Sequence, residues 1–145
     1  MVTANASELL PLLQATLQPR VEVLEAYLYG SCARGDAASH SDIDVAAFVT
    51  SDSLLVPGFG IAAQLSALLQ TGLRRSDVDL ALLNCASPLL YYRVLRDGVR
   101  ILSRDLAATS NREGMALSRY CDYLPQLRIV ELEHRNRIAA GGFGQ

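Results

Sequence analysis

Lysine is absent from this chain, so all of its 13 basic residues other than histidine are arginines. This absence excludes a phosphate-binding P-loop, because that motif places a lysine directly after its second glycine. Gly30 and Gly35 have the glycine spacing of a P-loop, but Asp36 follows them. The dinucleotide fingerprint G-x-G-x-x-G is also missing where a strand leads into a helix. Any phosphate chemistry in this chain must use another arrangement.

Cysteine is scarce, with Cys32, Cys85 and Cys121 in unrelated sequence contexts. An odd number without paired spacing argues against a disulfide framework and against a zinc site. We therefore expect three structural thiols, of which only Cys32 lies near the candidate site described below.

Long apolar runs and a charged leader are also lacking. No run approaches the ~18 apolar residues that span a bilayer, and residues 1–19 contain no arginine. We therefore expect a cytoplasmic protein that does not enter a membrane. The sequence pI of about 5.6 and the lack of a basic, aromatic-rich stripe argue against direct nucleic-acid binding.

What the chain does contain is a Gly-Ser pair followed, after ten residues, by two aspartates. Gly30 and Ser31 close one apolar run, and Asp42 and Asp44 open the next. Alternate residues of a strand share a face, so the two aspartates would lie about 6.6 Å apart and could converge on divalent cations. Glycine allows close backbone approach to a phosphate, and serine supplies amide and hydroxyl donors.

The calcium-binding loop of an EF-hand also begins with D-x-D. It needs a ligand at its fifth position and glycine at its sixth. Ala46 and Ala47 occupy those positions, which excludes it.

A third carboxylate is expected on a neighbouring strand, because ligands of a metal pair come from more than one segment. The segment 75–84 contains Asp77 and Asp79 on one face of a predicted strand. Asp79 lies further inside the strand, so we favour it for the site. The alternative is that both are solvated residues of an edge strand.

Together, Gly30-Ser31, Asp42-x-Asp44 and the segment around Asp79 resemble the nucleotidyltransferase superfamily of the DNA polymerase beta type, and its minimal members most closely. The resemblance covers about residues 20–125 and includes A-S-P-L-L-Y-Y-R-V-L-R-D-G-V-R-I-L-S-R-D from Ala86 to Asp105. It implies metal binding by Asp42, Asp44 and Asp79 and phosphate binding by Gly30 and Ser31.

The same resemblance implies an activity and a partner. Minimal nucleotidyltransferases are often antitoxins that pair with a HEPN ribonuclease toxin, and some add AMP to a toxin tyrosine. We therefore expect transfer of AMP from ATP, with two Mg²⁺ ions, to a hydroxyl of such a toxin within a hetero-oligomer. Two alternatives stay open: neutralisation by stoichiometric binding alone, and modification of a small molecule, for which 145 residues leave no second substrate domain.

Alternating apolar patterns predict an α/β domain over residues 1–140, with about four strands and flanking helices. The resemblance implies that these strands form a small mixed sheet, as in the polymerase beta-like nucleotidyltransferase fold. Predicted strands cover 21–29, 42–49, 75–84 and 99–103, and predicted helices cover 9–17, 31–35, 59–73 and 87–96. The helix over 59–73 is apolar on nearly every side and is expected to be buried. From residue 105 to 140 we predict a helical C-terminal region with a break at Pro125, and residues 141–145 are expected to be a disordered tail.

Charge is distributed unevenly along the chain. Residues 22–52 hold six acidic groups and one arginine, whereas residues 74–104 hold six arginines and three aspartates. This pattern suits a metal-chelated polyanion such as a nucleoside triphosphate.

Three single residues have more than one interpretation. Arg34 could contact a triphosphate or form an ion pair with Asp36. Of Tyr91 and Tyr92, one is expected in the core, and stacking on a base remains an alternative for the pair.

Overall fold

A four-stranded sheet forms the centre of the structure, a computed structural model that describes residues 5–35, 42–55 and 60–140. The elements in chain order are α1 Ala6–Leu17, β1 Val23–Tyr29, α2 Ser31–Arg34, β2 Ile43–Val49, α3 Gly60–Leu73, β3 Val78–Leu82, α4 Pro88–Asp97, β4 Val99–Ser103 and α5 Leu106–Ala139. The strand order is β3-β2-β1-β4. β1 is antiparallel to β2 and β4, while β2 and β3 are parallel. The predicted mixed α/β fold is therefore confirmed.

Each face of the sheet is covered by helices because the strands carry apolar residues on both faces. One core packs β1, β2 and β3 against α1 and α3 through residues such as Leu13, Leu28 and Leu65. The other packs the opposite face against α4 and α5 through Tyr27, Ala46 and Tyr91, among others. Within the described part of the chain, no helix combines the length and apolar character that crossing a bilayer requires.

Polar contacts attach α5 to the sheet. Glu25 on β1 is fully buried, and Arg112 donates to its two carboxylate oxygens at 2.7 and 2.6 Å, with Thr109 donating at 3.1 Å. Nearby, Tyr27 and Arg100 both donate to Glu113, at 2.7 and 2.6 Å. A buried carboxylate needs such a complete set of donors, so these contacts fix the position of α5 on the sheet.

Several sequence predictions need correction. The break at Pro125 is wrong, because α5 continues through this residue to Ala139. Pro125 is exposed, and so is Cys121, whose carbonyl loses its helical N–H donor at this proline. The helix predicted at 59–73 begins at Gly60 and buries only Ile61, Leu65 and Leu69, since its small alanines tolerate solvent.

The third strand is also shorter than predicted. β3 covers only Val78–Leu82, and a 3-10 turn follows it at Leu83–Cys85. The side chain of Asn84 then replaces strand pairing, because it donates to the Val49 carbonyl and accepts from the Val49 amide, both at 2.9 Å. The predicted tail, residues 141–145, lies outside the described residues.

The three cysteines are free thiols in different environments. Cys32 is buried, as expected of a structural thiol, whereas Cys85 and Cys121 are exposed. The prediction of three structural thiols is therefore wrong for Cys85 and Cys121.

Candidate active site

The end of β1 brings the Gly-Ser turn against the first aspartate pair. Gly30 has φ of 74°, a conformation that favours glycine, and a Cβ built on it would overlap the carboxylate of Asp44. Ser31 begins the short helix α2, which Gly35 ends with φ of 81°. Glycine at position 30 is thus required by the close approach of Asp44 to the turn.

Strand register places Asp44 between two other polar side chains. In the parallel pair of β2 and β3, Asp44 lies opposite Asp79. In the antiparallel pair of β1 and β2, Asp44 lies opposite Tyr29. Residues opposite each other on neighbouring strands share a face, so Tyr29, Asp44 and Asp79 form a row on one face of the sheet.

Asp42 lies directly before β2 and is exposed. Its backbone carbonyl accepts a hydrogen bond from the Cys32 thiol at 3.5 Å, which links the start of β2 to α2. Thus Asp42, Asp44 and Ser31 belong to segments that are in direct contact.

The pKa of Asp44 reflects burial and the charges around it. Burial raises the pKa of Asp44, and the charges of Asp79 and Asp42 raise this pKa further, while Arg34 opposes the shift. Burial also raises the pKa of Tyr29, with added effects from Asp44 and Asp79. A cation at this position would relieve the repulsion among these carboxylates.

Carboxylate oxygens are the donors that Mg²⁺ prefers, and the paired Asp44 and Asp79 fit that preference. Among the described residues, however, no group of three or more His, Cys, Asp or Glu side chains is arranged to hold a metal ion. The structure therefore brings Asp44 and Asp79, two of the three predicted ligands, side by side and places Asp42 directly before β2.

Asp77 has a different environment from Asp79. It precedes β3, and Arg75 donates to its two carboxylate oxygens at 2.8 and 2.5 Å. This hydrogen-bonded pair lowers the pKa of Asp77. Asp77 is thus held by an arginine, whereas Asp79 lies opposite Asp44.

Arg34 has a partner that sequence reasoning missed. Its guanidinium lies 3.8 Å from the carboxylate of Asp97 on α4. Asp36, one of its two predicted partners, lies outside the described residues. Sequence proximity links Arg34 to the Gly-Ser turn and to Asp36, so its contact with α4 could not be predicted from local sequence.

The paired tyrosines of α4 have structural roles. Tyr91 is buried, which agrees with the expectation that one of the two lies in the core. Tyr92 stacks on Tyr120 of α5, with ring centroids 3.8 Å apart and an interplanar angle of 2°. Their rings therefore help join α4 to the sheet and to α5.

The family of the chain is shown by its sequence. The family model described as Polymerase beta, Nucleotidyltransferase matches residues 12–107. Among curated proteins, no sequence is significantly similar to this one.

Solved toxin–antitoxin structures have a similar fold. A chain from a toxin–antitoxin structure with AMP-PNP has a TM-score of 0.66 and 20% identity, with 90% of this chain and 98% of that chain covered. A chain from the toxin–antitoxin MntA–HepT has a TM-score of 0.62 and 18% identity, with 92% and 98% covered. A chain from tri-AMPylated Shewanella oneidensis HEPN toxin in complex with MNT antitoxin has a TM-score of 0.58 and 22% identity, with 86% and 92% covered.

These likenesses show a shared fold, and the family match covers more than half of the 145 residues. The row of Tyr29, Asp44 and Asp79 lies within the matched region, as does the Gly-Ser turn. The chain belongs to the polymerase beta family of nucleotidyltransferases.

Proposed function

We propose that this protein transfers AMP from ATP to a hydroxyl, in particular a tyrosine hydroxyl, of a HEPN-family toxin and thereby acts as its antitoxin. The observation that carries this proposal is the register that sets Asp44 beside Asp79 next to the Gly30 turn. The similar structures add support, since one contains the ATP analogue AMP-PNP and another contains a tri-AMPylated toxin.

In this proposal Asp42, Asp44 and Asp79 would hold two Mg²⁺ ions. Magnesium, when bound, neutralises phosphate charge and makes a nearby hydroxyl more acidic. Gly30 lets the turn lie against the carboxylate of Asp44, and Ser31 would donate to a phosphate bound beside this turn.

The transfer itself is a substitution at phosphorus. The acceptor oxygen forms a bond to the α-phosphorus, and the bond from that phosphorus to the bridging oxygen breaks. Pyrophosphate leaves with the bonding electron pair, and the acceptor proton passes to solvent. The residues of this chain would contribute by orienting the triphosphate and by supplying the carboxylate oxygens that hold the metal.

The outer part of α5 is the surface that we assign to the partner. Ala116, Tyr123 and Val130 recur every seven residues and therefore lie on nearly the same side of the helix. Ala116 is buried on the domain, Tyr123 is half-buried, and Val130 is 60% exposed. The apolar side that docks α5 onto the sheet thus continues beyond the domain, where a partner can cover it.

Neutralisation of the toxin by binding alone is a second candidate, and the exposed apolar surface of α5 favours it. An exposed apolar helix surface, with Ile129, Leu132 and Ile138 also exposed, can hold a toxin without chemistry. The two functions differ in whether the aspartates are needed.

Labelled ATP, Mg²⁺ and the purified partner test the proposal directly. Asp42→Ala, Asp44→Ala and Asp79→Ala should each abolish label transfer, because each removes a ligand from a shared site. Asp77→Ala is the matched control and should retain most activity, since Asp77 is bound to Arg75. If Asp77→Ala abolishes transfer and Asp79→Ala does not, the third ligand is misassigned.

A further inference from the structure

A cleft of about 360 Å³ lies between the Gly-Ser turn and α4. Its lining consists of Tyr29, Gly30, Arg34, Leu90, Arg93, Arg96 and Asp97. Two of these residues also border the carboxylates, because Tyr29 lies opposite Asp44 and Gly30 contacts its carboxylate. The cleft is therefore continuous with the aspartate site.

The cleft is rich in positive charge. Arg93 and Arg96 lie one helical turn apart on α4, which places them on the same side of that helix. Together with Arg34 they set three guanidinium groups against one carboxylate, that of Asp97, and all three influence its charge. An anion in the cleft would meet an excess of positive charge.

The positive charge of the cleft is only partly paired by contacts among the described residues. Asp97 accepts from Arg96 at 2.9 and 2.8 Å and lies 3.8 Å from Arg34. Arg93 is exposed, and among the described residues no hydrogen bond or ion pair holds its guanidinium. Arg93 can thus bind a ligand without breaking an existing contact.

Other arginines of the same region have structural roles instead. Arg104 donates to four backbone carbonyls, those of Leu17, Gln18, Arg20 and Val23. Arg75 is bound to Asp77, and Arg100 is bound to Glu113. Of the six arginines between residues 74 and 104, Arg93 and Arg96 are the two that line this cleft.

We propose that Arg93 and Arg96 bind the terminal phosphates of the nucleoside triphosphate and hold the pyrophosphate as it leaves. This assignment rests on the proposed function, because it places the β- and γ-phosphates of the proposed substrate in the cleft. The order along the site is then Asp79, Asp44, the Gly30 turn and the α4 arginines. Arginine suits this role because its planar fork binds phosphate oxygens in pairs.

The test compares Arg93→Gln with Arg128→Gln, an equal change of charge at an exposed arginine of α5 outside the cleft. Binding of Mg²⁺-ATP, Mg²⁺-pyrophosphate and AMP is measured by calorimetry on the full chain. Arg93→Gln should bind ATP and pyrophosphate about tenfold more weakly than wild type and bind AMP equally well. A double variant with Arg93→Gln and Arg96→Gln should lose more affinity for ATP and pyrophosphate than Arg93→Gln alone. Arg128→Gln should bind each ligand as wild type does.

The outcomes separate this inference from the proposed function. Unchanged ATP and pyrophosphate affinity in Arg93→Gln, with normal binding by wild type, overturns the cleft assignment alone. An equal loss for AMP also overturns it, because AMP has no terminal phosphates. A wild type that binds neither ATP nor pyrophosphate overturns both. Equal melting temperatures of wild type and Arg93→Gln, both measured without ligand, would show that the exposed Arg93 is not needed for folding.

Discussion

Asp44 is held in an environment that disfavours its negative charge. It is half-buried and lies opposite Asp79, and burial together with Asp79 and Asp42 raises its pKa. A carboxyl whose pKa is higher in the folded state than in the unfolded state lowers stability as the pH rises through that range. At neutral pH the metal-free protein is therefore less stable than it would be with a neutral residue at this position.

Asp44→Asn should raise the melting temperature in EDTA, because it removes one charge with little change of shape. Relief of about 1 kcal/mol corresponds to roughly 3–5 °C for a domain of this size. Mg²⁺-ATP should stabilise wild type by mass action and leave the variant nearly unchanged. Melting curves in EDTA and in Mg²⁺-ATP measure both effects.

Asp77→Asn is the matched control, since an arginine lowers the pKa of Asp77 and favours its charged form. That variant should not gain stability in EDTA. A lower melting temperature for Asp44→Asn than for wild type would mean that Asp44 is a structural hydrogen-bond acceptor, and the proposed metal site would be wrong.

Two buried tyrosines offer a second comparison at the scale of single residues. Tyr27 and Tyr91 are both 3% exposed. The Tyr27 hydroxyl donates to Glu113 at 2.7 Å, whereas the buried Tyr91 hydroxyl has no partner among the described residues. Tyr27→Phe should lower the free energy of unfolding by about 1–2 kcal/mol, and Tyr91→Phe should leave it unchanged or raise it by up to about 1 kcal/mol. Urea denaturation distinguishes them, and a large loss from Tyr91→Phe would reveal a missed partner for its hydroxyl.

Some residues of the candidate site could be predicted from sequence, and others could not. The positions of Gly30 and Asp44 could be predicted because a turn and a strand determine their geometry locally. The choice of Asp79 over Asp77 depended on depth within a strand, and register now sets Asp79 opposite Asp44. Arg93 could not be assigned from sequence, since its importance arises from a cleft between α4 and a turn almost 60 residues earlier.

At the scale of elements, α5 shows where local rules fail. Proline disfavours a helix interior, yet α5 spans 34 residues with Pro125 inside it. Helices gain most of their stability from packing, and the contacts of Glu25 and Arg112 attach the first half of α5 to the sheet. Every residue from Arg128 to Ala140 is exposed, so this outer part adds little to domain stability.

Val130→Glu should therefore weaken partner binding at least tenfold while changing the melting temperature little. The reason is that Val130 is exposed in the isolated protein but lies on the apolar side assigned to the partner. Asn136→Glu introduces the same residue at another exposed position of α5 and should bind normally. Calorimetric titration with the partner measures both, and equal binding by the two variants would show that the partner docks elsewhere.

In the whole molecule, the fold brings opposite charges to one turn. Asp44, paired with Asp79, approaches Gly30, and the arginines of α4 line a cleft that Gly30 also borders. Sequence alternation predicted four strands and the helices that flank them, whereas the mixed pairing of the strands followed from the family resemblance. The strand order β3-β2-β1-β4 could not be read from alternation, because it depends on packing between distant segments.

We propose that this protein modifies its partner chemically. The most direct measurement is the intact mass of the toxin recovered from cells that co-express it with wild type or with Asp44→Ala at equal levels. We predict one or more added adenylate groups with wild type and none with Asp44→Ala, although the variant should still bind the toxin through α5. An unmodified toxin in growing cells that express wild type would contradict transfer of AMP and favour neutralisation by binding alone.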